Sequence, residues 1–252
     1  MELMEAITGR SMYRGAFQAR RVEEPVLRQI LEAATWAPSG HNSQPWEFIV
    51  IDDPNIIEKI ADLSSEAFDD FLKKSKDLKA WVRNWLRWLR WSQEELDKAG
   101  DGIYMSRMSE TAWKRMSELE SSDDLRAQLM EIFPLGRKPS KLITRSLCLI
   151  YTLLDTRKNI PDSSQGLMSL TSVGAAIQNM RLAAHASGLA AHELSPLYDL
   201  RETRKGISRL LEIPDHFRIV SAMRVGYPDA PVTHVRTHIR RPLEKIVHRN
   251  RF

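Results

Sequence analysis

Cysteine is the scarcest residue here: one, Cys148, in 252 positions. A single thiol excludes an internal disulfide and any multi-cysteine metal site, and it fits a reducing compartment. Its neighbours in Leu147-Cys148-Leu149-Ile150 are apolar, which predicts a buried, inert thiol rather than a nucleophile. Long apolar runs are missing too. No stretch approaches the roughly 20 residues that would cross a bilayer, and Met1-Glu2-Leu3-Met4-Glu5 has neither the basic nor the apolar region of a secretory leader. The expectation is a soluble, cytoplasmic protein with no membrane partner. Charge of one sign is also in short supply: 37 cationic against 33 anionic residues leave a net charge of +4. That excess is too small for a nucleic-acid surface, although it would favour a phosphorylated small molecule.

Several signatures are absent as well. No Gly-x-Gly-x-x-Gly follows a strand pattern, which excludes a Rossmann dinucleotide site, and there is no phosphate-loop lysine. His192-Glu193 runs into Leu194-Ser195-Pro196 and fails the zinc-helix pattern. His234 and His238 stand four apart without an accompanying carboxylate or cysteine, so no metal is expected there.

What is present is ordinary globular composition, 42% hydrophobic and 28% charged, in a length that suits one domain (1–252) carrying an insertion. Pro25, Leu27, Ile30, Leu31 and Ala34 have helical spacing to about Trp36. Pro38-Ser39-Gly40 stops that helix, and Phe48 to Ile51 reads as a strand. Residues 56–132 turn charged and helix-favouring, with Trp81, Trp85 and Trp88 on one helical face and Arg83, Arg87 and Arg90 interleaved. This is the candidate helical insertion. Leu147 to Leu154 is apolar throughout and predicts a central strand. Ser172 to His185 predicts a helix stopped by Ser187-Gly188, Ala190 to Leu194 a short strand, Leu200 to Leu211 an amphipathic helix, and Phe217 to Val225 a last strand. The tail from Val232 is basic and has no core pattern of its own.

Two constellations carry chemistry. Ala37 to Trp46 holds more small and amide residues than a turn needs. Asn42 and Gln44 each present a donor and an acceptor, which suits the edge of a heterocycle; a purely structural loop is the alternative. Thr8 to Phe17 contains Arg10 and Arg14, with Ser11 beside the first. If helical, this segment puts both guanidinium forks on one face, matched to an anionic ligand. A solvated pair is the other reading.

The stretch from Arg10 to Phe17, then Pro25 to Trp36, then Pro38-Ser39 with Asn42-Ser43-Gln44-Pro45-Trp46-Glu47-Phe48, resembles the N-terminal signature of the nitroreductase-like FMN flavoproteins in order and spacing. Gly174 to Gly188-Leu189 is similar to that family's central helix, and Val225-Gly226-Tyr227-Pro228 and Arg240-Arg241-Pro242-Leu243-Glu244 are similar to its C-terminal pieces. The matching blocks cover about half of the chain. Two departures stand out: Met12 occupies the place where the family commonly has serine, with Ser11 one position earlier, and residues 56–168 follow no assigned family pattern.

The resemblance implies an α+β fold, with a mainly antiparallel central sheet flanked by helices, in an intertwined homodimer. It implies FMN held by both chains and reduced transiently by NADH or NADPH. Arg10, with Ser11 and Met12, would lie at the phosphate and ribityl side, and Arg14 at the pyrimidine edge, where a cation favours reduction of the ring. Pro38, Ser39 and Gly40 would pack on the ring from the partner subunit, with Asn42, and Gln44 or its loop bonds, near the edge. Leu194 or Ser195 would present a backbone N–H to flavin N5, since Pro196 has none. Arg240 and Arg241 would complete the phosphate cage. Trp81, Trp85 and Trp88 would cover a flat acidic aromatic substrate or, alternatively, serve as packing. On this reading the flavin carries the chemistry, no side chain acts as catalyst, and hydride passes to a small organic acceptor such as a nitroaromatic, quinone or enone. Rival readings are other flavin chemistry on the same scaffold (reductive dehalogenation, substrate dehydrogenation, flavin breakdown) and a non-catalytic flavin-binding dimer.

Overall fold

In the computed structural model the elements follow the order α1 (Leu3–Gly9), α2 (Glu24–Thr35), β1 (Trp46–Ile51), α3 (Pro54–Lys74), α4 (Lys141–Thr144), β2 (Leu149–Asp155), α5 (Leu167–Ala186), β3 (Ala190–Glu193), α6 (Arg201–Leu210) and β4 (Phe217–Gly226). The structure describes residues 1–13, 15–74, 141–158, 166–231 and 243–251. Arg14, the segment with Trp81, Trp85 and Trp88, the His234 and His238 pair, and Arg240 and Arg241 lie outside the described residues. The chain divides into two compact units, Met1–Asp69 with Pro134–Val232, and Asp70–Phe133 with Thr233–Phe252. In the second, the turn Leu243–Lys245 is closed by the N–H groups of Ile246 and Val247 donating to the Leu243 carbonyl.

The first unit is built around β2. All seven of its residues are buried, because it has a strand on each side and a helical layer on each face. The sheet order is β1-β2-β4-β3, antiparallel throughout, as the α+β expectation required. Alternation along β2 sorts its side chains. Ile150 and Leu154 join Trp46, Leu27, Ile30, Val173, Ala176 and Met180 in a core under α2 and α5. Leu149, Tyr151 and Leu153 join Ile57, Ile60, Ala61 and Ile207 under α3 and α6. A register shift between Thr152 and Leu153, opposite Ser221 and Ile219, inserts one extra residue in β4.

Proline at the start of α2 and the i, i+3, i+7 set Leu27, Ile30 and Ala34 explain that helix. The central helix α5 begins at Leu167, five residues before the apolar period suggested, after Gly166 in the left-handed region (φ 84°). The added turn exposes Leu167, Met168 and Leu170, so it has no core-facing period to betray it. Cys148 is 2% exposed. Burial, with a smaller push from the Asp52 charge, raises its thiol to about 12, so it stays protonated and inert at neutral pH. No described helix is long and apolar enough to cross a membrane.

Asp155 closes β2 and accepts from the Arg157 guanidinium at 2.8 and 3.0 Å and from the Arg157 backbone N–H at 3.0 Å. The side-chain bond, then the backbone bond and the positive charge, hold its carboxyl down at about 2 against burial. A carboxyl depressed in the folded state binds fewer protons there than in the unfolded chain. Its stabilisation is therefore complete above about pH 4 and lost as the pH falls towards 2. Arg157 is largely solvated, so about 1 kcal/mol is the expected size. Urea midpoints at pH 5 and pH 2.5, with Asp155→Asn as the control that flattens the difference, check this.

Candidate functional site

The arginine-bearing segment is not helical. Helix α1 ends at Arg10, whose N–H donates to the Ala6 carbonyl and whose backbone is extended (φ −65°, ψ 129°). From there the chain runs alongside the edge strand β3. Met12 forms a parallel bridge with Ala191, and the Tyr13 N–H donates to the Ala191 carbonyl at 3.0 Å. Phe17 then bridges Pro228, and the Gln18 N–H donates to the Tyr227 carbonyl at 2.9 Å. The described residues after Arg10 are not helical, so the helical face that would bring Arg10 and Arg14 together is not formed there, and Arg14 itself lies outside the described residues.

A buried arginine holds this segment down. Arg224, on β4, is 1% exposed. Its Nε donates to His192 Nδ1 at 3.1 Å, and one terminal nitrogen donates to the carbonyls of Gly15 (2.8 Å) and Tyr13 (3.3 Å). Its guanidinium lies 4.6 Å from the centre of the Phe17 ring. Burial lowers its pKa to about 10, so it remains a cation at neutral pH. Gly15 has to be glycine: a Cβ there would stand 2.6 Å from the Tyr13 ring and hydroxyl, and that hydroxyl donates to the Ala16 carbonyl at 2.8 Å. Further along, Arg20 pairs with Glu23 at 2.5 Å and stacks 3.9 Å from the centre of the Tyr227 ring.

Met12 has a reason to be methionine. Its Sδ accepts the Glu193 N–H at 3.1 Å, tying the segment to the end of β3. The Glu193 carboxylate in turn accepts from Arg181 of α5 and from the Ser221 hydroxyl. Arg10, Ser11 and Met12 thus face Arg181, His185 and Leu189 to Ala191 across a narrow cleft. The absence of a side chain at Gly9 lets His185 close in, since a Cβ would meet its Nε2 at 2.9 Å. Two guanidinium groups, an imidazole and a hydroxyl on one cleft suit a phosphate monoester. Arg181 is already neutralised by Glu193.

Pro38, Ser39 and Gly40 line a second, mainly apolar groove of about 430 Å³ with Leu167, Met168, Thr171, Ser172 and Ala175 of α5. The loop below it is wound tightly: His41, Asn42 and Gln44 all have positive φ. The Gln44 N–H donates to Ser39 Oγ at 3.0 Å, Gln44 Nε2 donates to Asn42 Oδ1 at 3.1 Å, and Lys158 Nζ donates to the Gln44 carbonyl at 3.2 Å. Of the two amides left open for a ring N–H contact, that of Leu194 donates to the Ala222 carbonyl at 2.8 Å inside the buried core. Ser195 opens the following turn and is exposed.

Sequence reasoning gave no role to Arg181, His185 and Arg224, and weighed His192 only as a metal ligand. The signal for Arg224 was a lone cation inside the otherwise apolar end of a strand; for Arg181 and His185 it was a basic i, i+4 pair at the end of a helix of small residues.

A model of the nitroreductase family matches residues 7–227. "Putative NAD(P)H nitroreductase YdgI" of Bacillus subtilis is 44% identical over 64 residues, 25% of this chain and 31% of that protein. The chain spans less than a third of the length of the first curated relatives that it matches. An iodotyrosine deiodinase of Haliscomenobacter hydrossis is 26% identical over 217 residues, 84% of this chain and 73% of the relative. Among solved structures, oxidized iodotyrosine deiodinase bound to FMN and 3-iodo-L-tyrosine aligns over the whole of both chains with a TM-score of 0.62 at 18% identity, a likeness of fold.

Proposed function

This chain belongs to the nitroreductase family, and we propose that it is an FMN-dependent oxidoreductase, working as a homodimer, that passes hydride from NADH or NADPH to a small organic acceptor. The observation that carries this reading is the apolar groove of about 430 Å³ that Pro38, Ser39 and Gly40 form with α5, which suits a flat ring; the cations Arg10 and Arg181, with His185 and Ser11, line a gap of only about 10 Å³ and would meet the phosphate of FMN at its mouth. When bound, FMN supplies the hydride chemistry.

The protein's own residues supply position and charge. Arg10 and Ser11 hold the phosphate end, and Met12 keeps the segment in place through its thioether. Pro38, Ser39 and Gly40, with Asn42 and Gln44 fixing the loop, offer a ring surface to the partner's flavin. Ser195 provides the exposed backbone N–H. Arg14, Arg240 and Arg241, which the resemblance assigns to the pyrimidine edge and the phosphate cage, and Trp81, Trp85 and Trp88, assigned to the acceptor, lie outside the described residues. Exposed Leu3, Met4, Ile7, Leu167, Met168, Leu170 and a Trp36 that is 79% exposed give a second copy an apolar surface to bury.

A second reading, reductive dehalogenation of a halogenated phenol, is favoured by the reach of the deiodinase match, 84% of the chain. Two electrons and a proton would replace halogen by hydrogen and release halide. An absorbance spectrum of the purified protein, followed by anaerobic NADH and then NADPH, tests the first reading: flavin bands that bleach and recover with a nitroaromatic or quinone support it. Bands that only dithionite bleaches and that recover with an iodophenol, releasing iodide, support the second. A colourless protein that binds no added FMN overturns both.

A further inference from the structure

The groove between α6 and the start of β4 gathers cations away from the cleft described above. It encloses about 700 Å³ and is lined by Arg201, Arg204, Lys205, Arg209 and Arg218, by the hydroxyl residues Thr156 and Ser208, and by only two carboxylates, Glu212 and Asp215. The helix folds this way because Thr203 and Ile207 take its buried face. That leaves Arg201, Lys205 and Arg209, at i, i+4 and i+8, exposed in one row. Like charges in a row repel one another and destabilise an isolated helix, so the arrangement costs stability unless something of opposite sign answers it.

Part of that charge is already answered. Lys205 lies 3.9 Å from Glu202, and Arg204 donates to the Tyr198 carbonyl at 2.9 Å. Arg201, Arg209 and Arg218 have no carboxylate within ion-pair distance among the described residues. Apolar residues share the lining: Ile213 and Ile219, both buried, with Pro214 and Phe217, whose ring packs against His216 at 4.4 Å between centroids and has the Arg157 guanidinium 5.8 Å from its centre. Guanidinium forks beside an apolar, aromatic-bearing lining suit a ligand that carries a flat ring and more than one phosphate charge. The volume falls in the range of small-molecule sites.

The groove lies at the Phe217 end of β4, whereas the Arg10–Phe17 segment docks beside Ala191, which faces Val225, and beside Pro228, beyond Gly226.

We propose that the α6–β4 groove is a second ligand site that binds a nucleoside diphosphate, free or as the diphosphate half of a dinucleotide, independently of the redox site. Titration calorimetry of the protein as purified, with ADP and with NAD+, tests it, and the double variant Arg201→Gln/Arg209→Gln serves as the comparison because both side chains are exposed. The expected result is ADP binding that weakens about tenfold or more in the variant and falls with added salt, with the flavin spectrum unchanged. NAD+ binding with the same sensitivity identifies the dinucleotide as an accepted form, and ADP binding alone identifies the free nucleotide. Failure of ADP to bind, equal binding by the variant, or capture of an acidic peptide in preference to ADP overturns the proposal.

Discussion

Arg224→Met is expected to lower the stability of the fold by about 3 kcal/mol or more and to strip the protein of flavin as it does so. Methionine fills much of the same length, so packing alone predicts a small effect. The cost comes from what stays behind. The carbonyls of Tyr13 and Gly15 and the Nδ1 of His192 all take hydrogen bonds from Arg224, and in a buried setting each loses a charged donor that water cannot readily replace. Exchange of a whole buried ionic group for apolar residues is often neutral. Here, however, two of the three acceptors, the Tyr13 and Gly15 carbonyls, are main chain and cannot be exchanged with it. Because the freed carbonyls belong to the segment that carries Arg10 and Ser11, lost stability and lost cofactor should come together. Arg224→Lys keeps the charge but not the fork and should fall between the two. Urea midpoints and flavin content of the purified variants read both effects. A Met variant within 0.5 kcal/mol of the parent and fully loaded would mean that the segment is held by its bridges to Ala191 and Pro228 instead.

The parts of this molecule that were legible in the sequence are those whose own side chains declare their surroundings. The unbroken apolar run at Leu149 to Leu154 could only be a strand covered on both faces, and Leu27, Ile30 and Ala34 name a helix by their spacing. Helix α1 and the extended run after Arg10 were not legible. The extended run is fixed by partners nearly 180 or more positions away, Ala191 and Pro228, and no local period records such pairings. The resemblance located Arg10 and Ser11, while the opposing wall of Arg181 and His185 came from a helix that had been read for packing alone. The loop amides show the converse. For Asn42 and Gln44 the sequence left a ligand edge and the loop's own bonds both open; in the structure the Gln44 amide group donates to Asn42 Oδ1 within a backbone that has three positive φ angles, which only the turn itself reveals.

Arg10→Ala separates recognition from scaffolding. The side chain lies just beyond the last turn of α1, and the residue's helix-ending bond to Ala6 is made by the main chain; alanine preserves it. Stability should therefore change by less than about 1 kcal/mol. FMN affinity should drop about 10- to 100-fold, the equivalent of one charge-assisted contact to a phosphate, and riboflavin, which lacks the phosphate, should bind both proteins equally. That last comparison is the discriminating one, because a variant that merely loosened the fold would lose both ligands together, as Arg224→Met is expected to. Fluorescence titration of the flavin-free protein supplies the affinities. If FMN binding survives intact while the Ser11→Ala variant is equally silent, the phosphate is held elsewhere and the cleft beside Arg181 serves to anchor the segment to α5. If only FMN is lost, the arginine at the end of α1 is the residue through which an edge-strand docking device became a cofactor site.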